Sequence, residues 1–379
     1  IAKLGDISKN IQTGPFGSQL HQSDYSECGT PVVMPKDLVG GKISEESIAR
    51  VDKTHVERLC RHKIEVGDIL YSRRGDVGRC AHVTKKEEGW LCGTGCLRVT
   101  IDSEKADSRF VFFQLQHPDT VGWVEKHAVG ATMLNLNTTI LSSVPIRLPA
   151  LEIQKRIADI LSAYDDLIEN NQKQIKLLEE AAQRLYKEWF VDLRFPGHEN
   201  TKIVDGVPEG WSRTNINGIL TFHRGYDLTK NEMKAGRYPV VGSTTVIGYH
   251  NEFKIKGPGI VTGRSGSLGK YQFIWDNFWP HNTSLYISDY KDHNIFFVYS
   301  LLQTVDFASL NNGGAIPTLN RNVLSNIEVI EPTDELQEMF AKIAEPQYQK
   351  IKNLEKQNNQ LKMARDALLP KLMSGEVEV

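Results

Sequence analysis

Two glycine-rich stretches carry basic residues at a similar spacing, and this chemistry could serve phosphate or nucleic-acid binding. The first is YSRRGDVGR at residues 71–79, and the second is VTGRSGSLGK at residues 261–270. Each follows an apolar run and contains a leading arginine, then glycines, then a second basic residue. Glycine lets a backbone approach a ligand closely, and the basic side chains could neutralise phosphates or donate to guanine.

Neither stretch fits a known nucleotide-binding loop. A P-loop has four residues between its glycines, followed by Lys-Ser/Thr, whereas five residues separate Gly263 from Gly269, and Tyr271 stands at the hydroxyl position. A dinucleotide-binding fingerprint requires Gly-x-Gly-x-x-Gly, and that pattern is absent from both stretches. A plain glycine-rich turn at the end of a strand remains an alternative for each.

No catalytic or metal-binding motif is found along the chain. The Asn-Pro-Pro-Tyr or Asp-Pro-Pro-Tyr signature of adenine-N6 methyltransferases is absent, as are the His-Glu-x-x-His and nucleophile-elbow motifs. Three residues lie between Cys92 and Cys96, and a second cysteine pair is lacking, so we expect ordinary thiols rather than a zinc site. The sequence therefore predicts a non-catalytic chain without a metal.

The two glycine-rich stretches belong to a long internal repeat. Residues 73–79 align with 264–270 at a shift of 191 positions, and residues 136–154 align with 319–337 at a shift of 183. The matching segments keep the same order, and the shift changes slowly because the loops differ in length. One structural unit is therefore predicted to occur twice.

Each repeat begins with short Val, Ile, Tyr and Phe runs separated by turn residues, which predicts strands. Each then changes to a long helical pattern. We predict an α+β fold with an internal pseudo-twofold repeat: strand-rich domains at 1–150 and 196–332, a helix with a linker at 151–195, and a second helix at 333–379. A length of 379 residues suits two domains.

Apolar residues in both helical segments recur at alternating steps of four and three, which is the coiled-coil spacing. Because the first helix ends at the second domain, a second helix that packs on it must run antiparallel. One register places Asn171 opposite Asn358, and a buried Asn pair would define the alignment at some cost in stability. Alternatively, each helix packs only on its own domain. The predicted interface residues are Ile157, Leu161, Ile168, Asn171, Ile175, Leu178, Leu185, Ile351, Leu354, Asn358, Leu361, Leu368 and Leu372.

Two similar domains at a constant distance match the pseudosymmetry of duplex DNA, in which paired modules read half-sites around an unread gap. A net charge of −2 argues against a protein that coats nucleic acid, so local loops must supply the contacts. Each candidate, taken singly, is equally well explained as a solvated loop side chain, and Asn135 and Asn137 as turn caps. The candidates are Ser18, Gln19, Lys36, Arg73, Arg74, Arg79, Asn135, Asn137, Arg224, Tyr226, Ser243, Thr244, Arg264, Lys270, His281 and Asn282.

Several segments resemble the specificity subunit of type I restriction-modification systems. They include GPFGSQL, GDILYSRRGDVGR, LPALEIQKRIADIL and LLPKLMSGEV, and the resemblance covers essentially the whole chain. It implies two target recognition domains that read the halves of a bipartite, asymmetric DNA sequence, with helices that set the spacer and bind two methyltransferase subunits. It also implies motor-nuclease partners, with S-adenosylmethionine, ATP and Mg on the partner subunits and no cofactor in this chain.

The resemblance has two departures. The second copy has VPEGW at 207–211 before its matching segment, whereas the first copy starts at Ile1, so a few residues are expected before it. The second copy also lacks a GPFGS segment and has HRGYDL at 223–228, so a role for Ser18 does not carry over.

Two other functions stay open from the residues alone: a stand-alone DNA methyltransferase with accessory recognition domains, and a coiled-coil adaptor that does not bind DNA. No apolar run reaches the roughly 20 residues of a membrane helix, and no signal peptide is recognised, so we expect a cytoplasmic protein without membrane contact. Trp189 and Phe190 near the end of the first helix predict either an exposed docking surface or burial against the second domain.

Overall fold

A computed structural model describes residues 1–16, 19–130, 134–264, 269–305 and 327–379. The chain forms two compact units, of which the first contains residues 1–170 and 357–379 and the second contains residues 171–356. Each unit therefore includes a strand-rich region together with a part of both long helices.

Among its described residues, the strand-rich region of the first unit contains twelve short strands and four short α-helices before the first long helix begins. The strands are β1 Ala2–Lys3, β2 Ser8–Thr13, β3 Tyr25–Ser26, β4 Thr30–Val33, β5 Leu38–Val39, β6 Lys42–Ile43, β7 Ala49–Val51, β8 Ile69–Ser72, β9 Cys80–His82, β10 Leu91–Cys92, β11 Cys96–Ile101 and β12 Pro145–Ile146. The helices are α1 Lys53–Arg58, α2 Ser108–Gln116, α3 Pro118–His127 and α4 Thr138–Ser142.

Two four-stranded sheets organise this region, with strand orders β2-β11-β8-β9 and β10-β4-β7-β3. Alternate residues of strand β11, namely Leu97, Val99 and Ile101, are buried in one core cluster. This is expected for a strand that packs one face on a helix. Helix α2 covers that face, because Phe110 belongs to the same core cluster.

The second unit repeats the pattern. Its strands are β13 Ile203–Val204, β14 Val207–Pro208, β15 Ser212–Asn215, β16 Thr221–Arg224, β17 Tyr238–Val241, β18 Val246–His250, β19 Gly259–Gly263, β20 Tyr271–Ile274, β21 Trp279–Pro280, β22 Ser284–Asp289 and β23 Glu328–Glu331. Its short helices are α6 Ile216–Ile219 and α7 Ile295–Thr304.

The sheet orders confirm the internal repeat. The second unit has β16-β22-β19-β20 where the first has β2-β11-β8-β9, and β18-β17-β21 where the first has β7-β4-β10. In both units the pair at one edge is parallel, β10 with β4 and β21 with β17. The predicted α+β class with a duplicated strand-rich unit is therefore confirmed.

The two long helices are α5, Leu151–Tyr186, which continues as a π-helical turn over Lys187–Val191, and α8, Asp334–Ser374. Within the first unit Leu161 of α5 shares a core with Leu369 of α8, and the more N-terminal Ile157 shares it with Leu372. Within the second unit the ring of Tyr186 packs 5.8 Å from that of Phe340. The first unit therefore brings the N-terminal part of α5 together with the C-terminal part of α8, and the second unit brings the C-terminal part of α5 together with the N-terminal part of α8. The two helices run antiparallel.

The predicted interface residues are buried or half-buried. In the first unit Ile168 and Asn358 are buried and Leu368 packs on the core, whereas Leu361 is half-buried. In the second unit Asn171 and Leu354 are buried, Ile351 belongs to the core, and three more residues pack on that core: Ile175, Leu178 and Leu185. The pairing of Asn171 with Asn358 stays a prediction. The core clusters also contain domain residues such as Phe110 and Phe297, so each helix packs on a domain as well.

Trp189 and Phe190 do not form an exposed docking surface. Both side chains are buried in the core of the second unit. Phe190 lies edge-on to Phe297 at 5.2 Å and 5.9 Å from Trp211. Of the two alternatives, burial against the second domain is therefore the correct one.

Candidate nucleic-acid interface

Three loops of the first unit are joined at one end of its central sheet by backbone hydrogen bonds, which we call the loop frame. One loop follows β2, one follows β8 and contains RRGDVGR, and the third connects β10 with β11. The bonds run from Gly14 N to Cys96 O (3.0 Å), from Arg73 N to Gly95 O (2.7 Å) and from Gly93 N to Val33 O (2.9 Å).

The second unit contains the same loop frame. Its bonds run from Gly225 N to Ser284 O (3.1 Å), from Arg264 N to Thr283 O (3.1 Å) and from His281 N to Val241 O (2.9 Å). Each of these donor and acceptor residues lies at the same strand end as the corresponding residue of the first unit. The second copy lacks a GPFGS segment in its sequence, yet the backbone N–H of Gly225 in HRGYDL makes the bond that Gly14 makes in the first copy.

A close approach of two backbone segments explains why both units have glycine at this position, Gly14 in the first and Gly225 in the second. A Cβ atom on Gly14 would lie 2.0 Å from the carbonyl oxygen of Gly93, and one on Gly225 would lie 2.1 Å from that of His281. Real Cβ atoms do not approach backbone oxygens so closely. Glycine is required at this point in both units, although the neighbouring side chains differ.

The predicted basic residues of the first unit differ in their partners. Arg79 forms an ion pair with Asp76 inside its own turn (2.7 Å), and Lys36 donates to the carbonyl oxygen of Ser47 (2.5 Å). Arg74 is exposed, and Arg73 is half-buried. Neither Arg73 nor Arg74 has an acidic partner in the described part of the chain, so both guanidinium groups can donate hydrogen bonds to phosphates or to base edges.

The predicted polar residues of the first unit mainly support the loops. The side-chain oxygen of Asn137 accepts from the backbone N–H of Ile140 (2.8 Å), which makes it the N-cap of α4. Asn135 pairs through its backbone with Arg74 as an isolated β-bridge. Gln19 accepts from the backbone N–H of Phe16 (3.4 Å), and Ser18 lies outside the described residues.

The polar candidates of the second unit lie together around its loop frame. Ser243 donates to the carbonyl oxygen of Thr283 (2.7 Å), and a ring nitrogen of His281 lies 3.0 Å from the hydroxyl of the same residue. Tyr226 pairs with His281 as an isolated bridge. Thr244, in the same turn as Ser243, is exposed.

Asn282 donates its side-chain amide to the carboxylate of Asp227, and Asp227 was not among the sequence candidates. Because an amide that donates to a carboxylate has a defined orientation, Asp227 orients the group that Asn282 presents. Only the spatial pairing across the loop frame identifies this acid.

The basic residues of the second unit lie at the same end of the sheet. Arg224 ends β16 and is exposed, Arg264 follows β19, and Lys270 is exposed directly before β20. A further cation, Lys254, was missed by the sequence analysis; its ammonium lies 4.7 Å from the ring centre of Trp279. A cation over an aromatic ring gives no periodic sequence signal, which is why it escaped notice.

Cys80 and Cys92 are buried thiols. Burial raises the pKa of both Cys80 and Cys92 to about 12, so these thiols are neutral at pH 7. In the ranges that the structure describes, no group of three or more His, Cys, Asp or Glu side chains is placed to hold a metal ion. None of the described helices combines the length and apolar character that crossing a membrane requires.

Comparison with known proteins identifies the family that has this architecture. Residues 3–180 and 208–363 match the family described as "Type I restriction modification DNA specificity domain". The MjaIX specificity subunit of Methanocaldococcus jannaschii is 27% identical over 92% of this chain and 87% of its own length. The HindI specificity subunit of Haemophilus influenzae is 28% identical over 50% of this chain and 40% of its own. The crystal structure of the type I S subunit from M. genitalium covers 98% of this chain and 94% of its own, with 18% identity and a TM-score of 0.62.

A duplicated strand-rich unit with one loop frame per copy and a pair of long helices defines a two-domain recognition protein. The chain belongs to the type I restriction-modification DNA specificity family. It is the specificity subunit of such an enzyme, and this subunit is the non-catalytic component that recognises DNA.

Proposed function

We propose that the loop frame of each unit faces duplex DNA and reads one half of a bipartite, asymmetric target. The observation that carries the proposal is the repetition of the loop frame, since the same three backbone bonds support it in both units. Arg73, Arg74, Arg224 and Arg264 lie around these frames without acidic partners among the described residues. Loops on a common scaffold can vary in sequence while the scaffold stays the same.

The partners of this chain follow from the same proposal. The paired helices would bind two methyltransferase subunits, and motor-nuclease subunits would join that core in the cytoplasm. S-adenosylmethionine, ATP and Mg would be bound by those partners. The absence of a methyltransferase signature from the sequence supports this division of labour, because the chemistry must then come from another chain.

Methylation mapping of genomic DNA from cells that carry the system tests the proposal. We expect one methylated motif made of two different half-sites around a constant gap of unspecified bases. A continuous motif, or methylation without sequence preference, would contradict it. If the chain were a stand-alone methyltransferase, the purified chain alone would methylate DNA from labelled S-adenosylmethionine. If it were an adaptor, it would show no sequence-selective binding to a randomised duplex.

Assignment of the half-sites requires variants in each unit. Arg73→Ala should relax only one half-site and Arg264→Ala only the other, because the two residues hold equivalent positions in different units. A single variant that relaxes both half-sites would contradict a reading of one half-site per unit. Thermal unfolding of each variant shows whether its fold is intact.

A further inference from the structure

Phe16 is a large apolar side chain that the first unit holds in an exposed position. It is 57% exposed, although its backbone is well supported. Gly14 bonds to Cys96, the hydroxyl of Thr94 donates to the carbonyl oxygen of Pro15 (2.6 Å), and the Gln19 side chain accepts from Phe16 N. The loop therefore presents the ring on an ordered backbone instead of burying it.

Arg73 lies beside this ring. The centre of its guanidinium is 6.0 Å from the ring centre of Phe16, within the range of a cation–π contact. Its Nε atom is buried without a hydrogen-bond partner, and no described residue accepts from its terminal nitrogens. An arginine with a restricted side chain, whose terminal donors are not used by the described residues, is ready for an acceptor pair on a ligand.

We propose that Phe16 and Arg73 together read a thymine and a guanine in the half-site of the first unit. This inference rests on the proposed function, because it assumes that the loop frame faces DNA. Arg73 donates its terminal nitrogens to O6 and N7 of guanine in the major groove, and Phe16 contacts the C5-methyl group of thymine. Successive base pairs are about 3.4 Å apart, so a separation of 6.0 Å places the thymine within about two steps of the guanine.

The pair belongs to one half-site only. In the second unit Arg264 corresponds to Arg73, but Asp227 stands two residues after the shared glycine, where the first unit has Phe16. Asp227 is bound to Asn282, so an acid and an amide replace the apolar contact. An effect of the thymine methyl group should therefore appear in the first half-site without a counterpart that depends on Phe16 in the second.

The test uses the assembled enzyme with its methyltransferase subunits and a duplex that carries the mapped target. Each thymine of both half-sites is replaced in turn by deoxyuridine, which lacks the methyl group. We expect one replacement, in the half-site that Arg73→Ala relaxes, to weaken binding about fourfold, the value of one buried methyl group. Phe16→Ala should weaken binding to the normal duplex by a similar factor and should show no further loss with that deoxyuridine.

The guanine is tested in the same way. Replacement of the neighbouring guanine by 7-deazaguanine removes N7, and it should weaken binding by the wild type but not by Arg73→Ala. Phe16→Leu keeps an apolar contact and should retain sensitivity to the methyl group. Val39→Ala, which alters another exposed apolar residue of this unit, is the matched control and should behave as the wild type.

The possible outcomes separate the two proposals. If the wild-type complex binds its mapped target no better than a scrambled duplex, the proposed function fails. If binding is specific but no deoxyuridine in the first half-site has an effect, or if the effect persists in Phe16→Ala, only the reading by Phe16 is overturned. A Phe16→Ala variant that loses guanine discrimination and leaves the methyl effect intact also overturns it, since Phe16 would then only position Arg73.

Discussion

The carboxylate of Asp165 and the guanidinium of Arg365 form an ion pair across the two long helices within the first unit. Burial raises the pKa of Asp165 even with this guanidinium beside it. Desolvation of the pair therefore offsets a large part of its attraction. The pair contributes more to the alignment of the helices than to the free energy of unfolding.

The first prediction concerns this ion pair. Arg365→Met should lower the free energy of unfolding by about 1–3 kcal/mol, because it leaves Asp165 partly buried without its partner. The double variant Asp165→Leu with Arg365→Met should be close to the wild type, since an apolar pair avoids the cost of desolvation. Urea unfolding of both single variants and the double variant gives the coupling energy. A double variant as unstable as Arg365→Met would argue against this interpretation.

The ion pair also bears on the register of the helices. Asp165 meets Arg365 at the place required by an alignment of Ile168 with Leu361. A slip of one heptad in either direction would move Asp165 about seven positions along α8. The contact thus supports the predicted register inside the first unit.

The second prediction concerns the shared glycine of the loop frames. Gly14→Ala places a Cβ atom 2.0 Å from a backbone oxygen, so the loop must shift, and we expect a loss of about 1–3 kcal/mol of stability. Recognition of one half-site should weaken with it. Gly122→Ala is the control, because it lies inside helix α3, where an added Cβ has no neighbour within 4 Å. It should stabilise the chain by up to about 1 kcal/mol. Thermal unfolding and binding to the mapped duplex measure both effects.

The third prediction separates phosphate contacts from base contacts. Arg74 and Lys270 are exposed on the two glycine-rich turns, which suits contact with the DNA backbone. Arg74→Ala and Lys270→Ala should each weaken binding equally for specific and scrambled duplexes and should lower the salt slope by about 1. Arg73→Ala should instead affect mainly the specific duplex. Titrations at several salt concentrations distinguish these cases, and a specific loss in Arg74→Ala would contradict the assignment.

The fold was largely predictable from the sequence because the repeat is visible where residues carry strong signals. The change from strand-like runs to a heptad pattern located α5 and α8, and the matching glycine-rich turns located β8 with β9 and β19 with β20. The equivalence of Gly14 and Gly225 was not found, because their shift is 211 positions whereas the turns align at 191. A single shared glycine is too weak a signal to reveal such a change.

The chemistry of the site was less predictable, because it depends on which side chains meet across loops. Arg79 was a candidate contact in the sequence like Arg73, yet it pairs with Asp76. Asn137 caps a helix, Asp227 holds Asn282, and Phe16 lies beside Arg73. Residue types give the inventory of donors and acceptors, but only the folded loops decide which of them remain available.

The fourth prediction concerns pH. Burial lowers the pKa of His82 to about 4, and its ring lies 3.0 Å from the hydroxyl of Ser108. Below about pH 6.5 the unfolded chain binds a proton that the folded chain excludes until about pH 4, so stability falls as the pH is lowered through this window. Between pH 7 and pH 5 the loss from His82 should be about 2 kcal/mol.

His82→Gln is the variant that isolates this contribution, and urea unfolding at pH 7 and pH 5 is the measurement. The difference in stability between the two pH values should shrink by about 2 kcal/mol relative to the wild type. His62 is also buried, with its pKa lowered to about 4, so part of the pH dependence should remain. An unchanged pH dependence in His82→Gln would show that His82 is not excluded from protonation in the folded chain.

The fifth prediction tests whether the helices set the gap between the half-sites. Deletion of 171–177 from α5 together with 352–358 from α8 removes a heptad from each helix at the predicted register and preserves the apolar seam. Each helix then shortens by about 10 Å, so the unread gap should shrink by at most about three base pairs. The bases of both half-sites should stay the same, because the loop frames are untouched. Methylation mapping reads both quantities, and deletion from one helix alone, which breaks the register, is the matched control and should abolish methylation. A changed half-site in the double deletion would show that the helices take part in reading the bases.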